Sequence, residues 1–529
     1  MKKQLLLITL LAFFSITKNL SAQNAPAIEW QKCLGGGADE NTYSIQQTDD
    51  GGYIVAGTSS SVDGDVTGNH GSSDYWAVKL TASGTIDWQK SLGGTSADNL
   101  NAIQQTSDGG FILAGGASSG DGDVSGNHGN SDYWIVKLDH DGNILWQKSY
   151  GGSEADEAFS IKETNDAGFI VAGYSYSTDG DVSDNHGNSD FWIVRLDSMG
   201  NIEWQRCCGG SDLEFFFIEI EQIADGGYAF GAWTKSNDGD VSGNHGSFDI
   251  WIVKLNSLGS LEWQKCLGGS ATDATASLKQ ISGGGFIVAG VSVSSDGDAT
   301  QNHGVQDYWV LQLDSSGNIV WQKSLGGSLD DEAFSVQQTW DGGFIAGGYS
   351  NSVDGDITGY HGDYDYCVMK LDENGNLEWQ KNLGGSSYDY GWTIQQTTDG
   401  GFITAGFSGS TDGDVTGNHG GSDIWVVKLA ADTATGILQS HFFQSHFSVS
   451  LFPNPSDGNV HLEFTLNQEQ QVQVKVFDVA GKELFGEDEQ RISGSFTETI
   501  YLNSLPAGSY YISIVHGCER EMRKMMVVK

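Results

Sequence analysis

Hydrophobic and polar positions alternate along most of this chain in short runs that recur in a fixed order. In the first copy the four runs are IEWQKC, SIQQT, YIVAGTS and DYWAVKL, each with the period of two and the β-branched or aromatic residues of a strand. Gly-rich turns such as Asp50-Gly51-Gly52 separate the runs. The first-run tryptophan recurs at intervals of 58, 58, 58, 59, 58 and 58 residues: Trp30, Trp88, Trp146, Trp204, Trp263, Trp321 and Trp379. The pattern predicts seven repeats of four strands.

Four up-and-down strands in each of seven repeats predict an all-β fold, a seven-bladed β-propeller of four-stranded blades. The repeats open with a first-run strand at residues 28–33 and end on a fourth-run strand at residues 423–429. We expect the opening strand to complete the last blade, because closing the ring removes two exposed strand edges. An open solenoid is the alternative, but it needs polar caps that the sequence does not show.

Charge and the N-terminal residues narrow the class of function. With 26 Lys and Arg against 69 Asp and Glu, the net charge is −43, so nucleic acid and anionic membrane surfaces are not expected as partners. Residues 1–22 begin with two lysines, continue with an apolar run and end on small residues, which predicts a signal peptide. No later run reaches the roughly 18 to 20 apolar residues of a membrane span. The sequence predicts an exported protein.

Six cysteines in an exported chain invite a disulfide interpretation, and the repeat argues against it. Cys33, Cys207 and Cys266 share one position of the repeat, which other copies fill with Ser or Asn. Equivalent positions on neighbouring blades should lie beyond the roughly 7 Å that a disulfide can bridge between Cα atoms. We predict a small-residue position without a structural disulfide.

The strand order places the loops. The first-to-second and third-to-fourth connections share one side of the ring, here called the long-loop face, and the DGG turns and inter-repeat turns share the other, the short-turn face. Long loops on a rigid scaffold commonly carry binding sites. We expect a glycan or protein ligand on the long-loop face.

Each third-to-fourth loop carries oxygen-bearing side chains at calcium-loop spacing. Counted from Asp63, they occupy positions 1, 3, 5, 7 and 12, with Gly68 at position 6 and Asp where an EF-hand has Glu. Calcium is thus a candidate ligand, although no cofactor is certain. The candidate residues in four copies are Asp63, Asp65, Thr67, Asn69, Asp74, Asp121, Asp123, Ser125, Asn127, Asp132, Asp354, Asp356, Thr358, Asp363, Asp365, Asp412, Asp414, Thr416, Asn418 and Asp423.

The same residues also have a structural interpretation. No EF-hand helices are predicted, and Asp184 and Gln301 replace the position-6 glycine in two copies. Asp, His, Ser or Thr and Trp recurring in each blade resemble the internal hydrogen-bond network of WD-repeat propellers. One carboxylate also stands ten residues after every opening tryptophan: Glu40, Asp98, Asp156, Glu214, Asp273, Asp331 and Asp389. Both interpretations stay open at this point.

Catalysis needs one asymmetric group of acid, base or nucleophile, and a strict repeat spreads equivalent residues around a ring. Seven equivalent histidines, for the same reason, cannot meet at one zinc ion. We see no asymmetric catalytic set and predict a binding or structural module, with a polysaccharide-acting propeller hydrolase or lyase as the alternative.

Departures from the repeat are therefore informative. Copy four differs most, with an aromatic and acidic group that is either a glycan platform or a local variation of the core: Glu214, Phe215, Phe216, Phe217, Glu219, Glu221, Trp233 and Lys235. Trp340 and Trp392 occur once each, and Asp363 is an extra carboxylate in copy six.

Two resemblances follow from these motifs. The run DYWVLQLDSSGNIVWQKSLGG at residues 307–327 resembles the secreted bacterial β-propeller repeat family, and the likeness extends over roughly residues 28–430. It implies a propeller, which we assign to residues 23–430, but no uniform activity. Residues 431–447 have the composition of a linker.

Residues 448–529 alternate apolar strands with Asp-Gly and Ala-Gly turns, which predicts a small β-sandwich. The motifs Pro453-Asn454-Pro455, DVAGK at 478–482 and LPAGSY at 505–510, with a basic end, resemble the C-terminal sorting domain of type IX secretion (Por) cargo in Bacteroidetes. This resemblance implies the type IX machinery as a partner and a secreted or surface location. A plain accessory sandwich is the alternative.

Overall fold

The computed structural model describes residues 25–214, 217–431, 450–452, 459–478, 483–486, 490–501, 505, 508–516 and 519–527. Residues 28–429 contain seven four-stranded antiparallel sheets, the blades of a propeller, which confirms the predicted fold. All regular structure in the described ranges is strand, and they contain no helix of the length and apolarity that a membrane span requires. The predicted signal peptide and all but the first residue of the predicted linker lie outside the described residues.

Blades 1 to 7 follow chain order, and each has the same four strands from the central channel outward. The innermost strands are β2 (Glu40–Gln47), β6 (Asp98–Gln105), β10 (Asp156–Glu163), β14 (Glu219–Gln222), β18 (Asp273–Gln280), β22 (Asp331–Gln338) and β26 (Asp389–Gln396). The second strands are β3 (Tyr53–Ser59), β7 (Phe111–Ala117), β11 (Phe169–Ser175), β15 (Tyr228–Thr234), β19 (Phe286–Ser292), β23 (Phe344–Ser350) and β27 (Phe402–Ser408). The third strands are β4 (Asp74–Leu80), β8 (Asp132–Leu138), β12 (Asp190–Leu196), β16 (Asp249–Leu255), β20 (Asp307–Leu313), β24 (Asp365–Leu371) and β28 (Asp423–Leu429). The outermost strands are β5 (Ile86–Leu92), β9 (Ile144–Tyr150), β13 (Ile202–Cys208), β17 (Leu261–Leu267), β21 (Ile319–Leu325), β25 (Leu377–Leu383) and, in blade 7, β1 (Ile28–Leu34).

The ring is closed by its first strand, as the sequence predicted. β1 pairs antiparallel with β28 of blade 7, with Gln31 opposite Val427. Trp425 donates its indole N–H to Gln31 Oε1 at 2.7 Å, and the ammonium of Lys428 lies 3.2 Å from Glu29. The N-terminal strand therefore takes the place that the next repeat fills in every other blade.

The hydrophobic core lies between adjacent blades. Second and third strands are buried on both faces, because each blade packs against two neighbours, and their sequences are accordingly almost continuously apolar. The cluster between blades 1 and 2, for example, joins Leu92 and Ala77 of the first blade to Leu113 and Trp134 of the second. Each inter-blade layer repeats this arrangement, so the core is a ring of layers.

An ion pair ties the third strand of most blades to the DGG turn. In blade 1 the ammonium of Lys79, buried within the blade, lies 2.9 Å from Asp50, and together with other hydrogen bonds this lowers the pKa of Asp50 to about 2 although desolvation acts in the opposite direction. Blade 5 has Gln312 in place of the lysine and Gly283 in place of the aspartate. Both partners are replaced together, so neither charge is left buried without its counterion.

The SIQQ motif of the innermost strands holds neighbouring blades together. The side-chain oxygen at the last position of each inner strand accepts a backbone N–H from the DGG turn of the preceding blade. Gln105 accepts from Asp49 at 2.9 Å, and Gln47 accepts from Thr398 across the closure at 2.7 Å. The other five bonds are formed by Glu163, Gln222, Gln280, Gln338 and Gln396. The ring of seven bonds explains why a polar residue recurs there.

The tail forms one six-stranded sheet around a long strand. Its strands are β29 (Ser450–Phe452), β30 (Asn459–Asp478), β31 (Glu483–Gly486), β32 (Gln490–Tyr501), β33 (Gly508–His516) and β34 (Glu519–Val527). β30 pairs with β29, β31, β32 and β33. Val460 from its first half and Val476 from its second half belong to one buried cluster with Ile512 of β33. The Pro453-Asn454-Pro455 motif lies outside the described residues.

Candidate functional site

The calcium-type loop of each blade is hydrogen-bonded into the long-loop face. In blade 2, Asp121 Oδ1 and Asp123 Oδ2 accept backbone N–H groups of the adjacent first-to-second loop at 2.8 and 3.3 Å. Ser125 Oγ accepts from the glutamine of the WQK motif, and Asn127 donates to the backbone oxygen of Ala117 at 2.9 Å. Asp132 accepts both the N–H and the ring Nδ1 of the preceding histidine at 2.8 and 2.6 Å. The five side chains thus point to five different partners.

The other three candidate loops make equivalent bonds. Their first aspartates accept a backbone N–H at 2.7, 2.8 and 2.7 Å: Asp63, Asp354 and Asp412. Their last aspartates accept from the histidine four residues earlier: Asp74, Asp365 and Asp423. Within the described residues, no group of three or more His, Cys, Asp or Glu side chains has the spacing of a metal site. Such bonds are those expected if the loop residues form a hydrogen-bond network within the propeller. Calcium binding by the loops stays a prediction.

The carboxylate that follows each opening tryptophan is buried. Asp98 begins the inner strand of blade 2, is fully buried, and accepts the backbone N–H of Gly94 at 2.8 Å and the hydroxyl of Ser119 at 2.7 Å. A Cβ added at Gly93 would stand 2.7 Å from Asp74 Oδ1 and 2.8 Å from Asp98 Oδ2, so the glycine makes room for two carboxylates. The repeated acid therefore lies inside the blade junction and is not exposed on the long-loop face.

Each blade junction contains such a pair, one acid from an inner strand and one from the third strand of the preceding blade. Burial raises the pKa of Asp74 and of Asp98, and the charge of Asp98 raises that of Asp74 further. The Oδ1 atom of every third-strand aspartate has no hydrogen-bond partner among the described residues: Asp74, Asp132, Asp190, Asp249, Asp307, Asp365 and Asp423. Burial thus raises the pKa of the third-strand aspartate at every junction.

Aromatic rings close the central channel. Phe217 of blade 4 lies among rings from four other blades, with centroid distances of 6.0 Å to Tyr43, 5.6 Å to Phe159, 5.9 Å to Phe334 and 5.3 Å to Trp392. Copy four is one residue longer than its neighbours in this segment, and its inner strand begins only at residue 219. Phe217 follows the buried acid Glu214 by three residues, the spacing at which the other four rings follow the acids of their own blades.

The unusual residues of copy four therefore fall into separate environments and do not form one platform. Glu214 takes the buried position of the repeated acid, and Glu219 and Glu221 project into the channel beside lysines. Trp233 packs on Phe248 with ring centroids 5.0 Å apart. Phe215 and Phe216 lie outside the described residues.

A cluster of half-buried aromatic residues lies on the long-loop face of blades 6 and 7. This tyrosine cluster consists of Tyr349, Tyr364, Tyr388, Tyr390 and Phe407. Tyr390 is central, with ring centroids 4.6 Å from Tyr349, 5.1 Å from Tyr364, 5.9 Å from Tyr388 and 5.3 Å from Phe407. The Tyr364 ring is stacked on that of Tyr390 at an interplanar angle of 27°. Solvent reaches one side of a continuous aromatic surface.

The sequence pattern singled out only two residues beside this cluster, Trp392 and Asp363. The signal was present at single positions of the repeat. Where Tyr390 stands in blade 7, blade 2 has Asn99 and blade 5 has Ala274. The five aromatic residues belong to different strands and loops, so their proximity depends on how blades 6 and 7 pack.

Comparisons with known proteins identify the tail. Residues 450–529 match the model of the secretion system C-terminal sorting domain, two residues inside the predicted boundary at 448. No curated protein matches the chain.

Solved structures resemble the chain only weakly. Sqt1 from Chaetomium thermophilum is 11% identical, with a TM-score of 0.37 over 82% of this chain and 97% of that chain. A member of the DUF4221 family from Bacteroides vulgatus is 6% identical, with a TM-score of 0.33 over 77% and 98%. A family 32 glycoside hydrolase from Bifidobacterium adolescentis is 9% identical, with a TM-score of 0.25 over 94% and 95%. At these values no activity is transferred to this protein.

Proposed function

Because residues 450–529 are a sorting domain of type IX secretion cargo, which is delivered to the cell surface or the extracellular space, we propose that the propeller acts outside the cell as a glycan-binding module. The tyrosine cluster on the long-loop face of blades 6 and 7 is the observation that carries this proposal. The cluster is particular to blades 6 and 7, since the position of Tyr390 is occupied by Asn99 in blade 2 and by Ala274 in blade 5. Type IX export explains why such a surface would meet polysaccharide.

The chemistry of the cluster suits a sugar. Tyrosine rings offer apolar faces on which the C–H groups of a pyranose ring can stack, and their hydroxyls can bond to sugar hydroxyls. Carboxylates border the rings, since the Tyr364 hydroxyl lies 3.3 Å from Asp330 Oδ2 and Asp363 is exposed in the same loop. These acids and the net charge of −43 favour a neutral glycan over a sulfated or uronate-rich one.

The packing of the tyrosine cluster on the propeller lowers the entropic cost of binding a ligand. The rings pack on one another, and Tyr349, Tyr390 and Phe407 stand on strands of the propeller core, so few side-chain rotamers have to be ordered by the ligand. Large, half-exposed aromatic residues are also the residue type that dominates binding surfaces. We therefore expect Tyr390 and Tyr364 to supply most of the affinity.

A glycan array with the purified protein, followed by calorimetry with the best neutral ligand, tests the proposal. Tyr390→Ala and Tyr364→Ala should each lower the affinity at least tenfold, which corresponds to about 1.4 kcal/mol. Tyr176→Ala removes a half-buried tyrosine that follows strand β11 of blade 3 and serves as the matched control. An array without a neutral ligand, or equal losses in all three variants, would contradict the proposal.

The competing function is a polysaccharide-acting enzyme, and the same ligand distinguishes the two. A binding module leaves the bound polysaccharide intact during long incubation, whereas a hydrolase or lyase shortens it. Release of new reducing ends that Tyr390→Ala abolishes would establish an enzyme at this surface.

A further inference from the structure

Beyond the aromatic rings around Phe217, the central channel continues toward the short-turn face. This part of the channel is a cavity with a polar lining, here called the cup. Inner strands of all seven blades line this cavity of about 250 Å³. Phe217 and its neighbouring rings line it on the long-loop side, and glutamines and lysines nearer the DGG turns line it on the short-turn side. The cup is separate from the tyrosine cluster and does not depend on the proposed glycan binding.

Four glutamines line the cup, all at the seventh position of their inner strands, and each turns its oxygen toward the next blade. Each glutamine Oε1 accepts a hydrogen bond from a backbone N–H of the next blade. The N···Oε1 distances are 2.7, 2.7, 2.9 and 2.8 Å for Gln46, Gln104, Gln337 and Gln395. A backbone N–H can only donate, so the oxygen of each carboxamide must face it and the amino group must take the other position. Among the described residues, none of these four amino groups has a hydrogen-bond acceptor.

Lysines replace the glutamine in blades 3 and 5. Lys279 lies between two glutamates of blade 4, with its ammonium bonded to Glu219 and 2.7 Å from Glu221. Glu219 Oε2 also accepts the hydroxyl of Ser277 at 2.8 Å. Lys162 does not form an ion pair as short as those of Lys279, because the carboxylate oxygen closest to its ammonium is that of Glu219, at 4.0 Å. The side chain of Lys162 is 28% exposed, so its ammonium can reach a ligand in the cup.

The glutamine amino groups and the Lys162 ammonium are thus hydrogen-bond donors that a ligand in the cup could use. Four carboxamide amino groups and the Lys162 ammonium converge on one lumen, and the neighbouring glutamates are already bonded to Lys279 and Ser277. The charge of Lys279 and burial lower the pKa of Lys162, as expected for an ammonium with little stabilisation from the protein. A group that brings several acceptor oxygens would satisfy these donors.

We propose that this cup binds the oxyanion group of a small solute, a carboxylate, phosphate or sulfate, through Lys162 and the amino groups of Gln46, Gln104, Gln337 and Gln395. Cations and amines are not expected, because the two carboxylates beside the lumen, Glu219 and Glu221, already bind Lys279. The volume of about 250 Å³ limits the ligand to a small solute. The net charge of −43 opposes long-range attraction, so affinity depends on direct donor contacts.

Calorimetric titration of the purified protein with inorganic phosphate, sulfate and citrate tests the proposal. At least one of the three anions should bind at a single saturable site. Lys162→Gln, which installs the residue found in four other blades, should weaken binding at least tenfold without disturbing the fold. Lys90→Gln, on the outermost strand of blade 1, should leave binding unchanged.

Gln104→Glu is the sharper variant. A glutamate keeps an oxygen for the N–H of Glu163, so the inter-blade bond persists, but it replaces the amino donor by an acceptor. Anion binding should be lost while the melting temperature and glycan binding stay as in the wild type. Absence of heat with all three anions, or wild-type affinity in both Lys162→Gln and Gln104→Glu, would overturn the proposal and leave the glycan proposal untouched.

Discussion

Closure of the ring by its first strand can be tested by truncating one buried leucine of that strand. Leu34 is the last residue of β1, is fully buried, and packs between blades 7 and 1 against Ile424 and Trp76. Truncating a buried leucine to alanine costs roughly 2–5 kcal/mol, the loss of transfer free energy and the cavity together. Leu34→Ala should lower the free energy of unfolding by that amount even though the residue lies near the chain terminus.

Leu92→Ala provides the matched comparison. Leu92 ends the outermost strand of blade 1, where the chain is continuous, and is 6% exposed. Denaturant titration followed by tryptophan fluorescence should show similar destabilisation of both variants. If Leu34→Ala left the midpoint unchanged while Leu92→Ala lowered it, β1 would not be part of the folded ring.

Deleting residues 25–34 carries the same reasoning further. The deletion exposes the edge of β28 and removes the acceptor of the Trp425 indole, so the melting temperature should fall and blade 7 should become protease-sensitive. A synthetic peptide of residues 25–37 added in trans should restore both. No rescue, together with unchanged melting of the deletion, would refute the closure.

Four further outcomes are expected. Burial, and the neighbouring acid Asp389, raise the pKa of the junction carboxyl of Asp365 to about 6, so the folded state holds a proton that the unfolded state has released. The melting temperature should therefore rise from pH 7.5 to pH 5, with a smaller rise in Asp365→Asn, and a steady fall over this range would contradict the assignment. Tyr75→Phe removes a buried hydroxyl bonded at 2.9 Å to a backbone oxygen of blade 2 and should cost about 1 kcal/mol in denaturant titration, whereas no change would show that this bond contributes nothing. Truncation of residues 450–529 should leave a folded propeller in the periplasm, as fractionation would show, and normal surface display would speak against a sorting role. If the loops bind calcium, millimolar Ca²⁺ should raise the melting temperature more than Mg²⁺ at equal ionic strength, and Asp354→Ala with Asp356→Ala should reduce the effect; indifference to chelator would leave only hydrogen-bonded turns.

The sequence by itself determined the architecture. Strand runs of seven or eight residues, a repeat of 58 residues and turns such as Asp50-Gly51-Gly52 act over short distances along the chain, and Gly51 has the positive φ of 81° that its turn needs. The unmatched strands at the two ends were sufficient to predict closure. The motifs of the tail were likewise local, and they identified the sorting domain.

Only the tertiary structure decided where the chemistry lies. The repeated acids Asp74 and Asp98 are 24 residues apart in sequence and meet at a blade junction, where packing buries both. A periodic pattern shows that a carboxylate recurs, but whether it faces water or a neighbouring blade depends on the surface of that neighbour. The burial of these acids could therefore be decided only from the packing of the blades.

The same reason applies to both proposed sites. The rings of the tyrosine cluster come from two blades, and the donors of the cup come from five, so each site exists only after the blades have closed around the channel. In the channel, Phe217 of blade 4 contacts rings of four other blades, and these contacts bring together residues that are far apart in the sequence. The repeat shows that a position recurs, but which side chains meet there depends on how the blades are arranged around the channel.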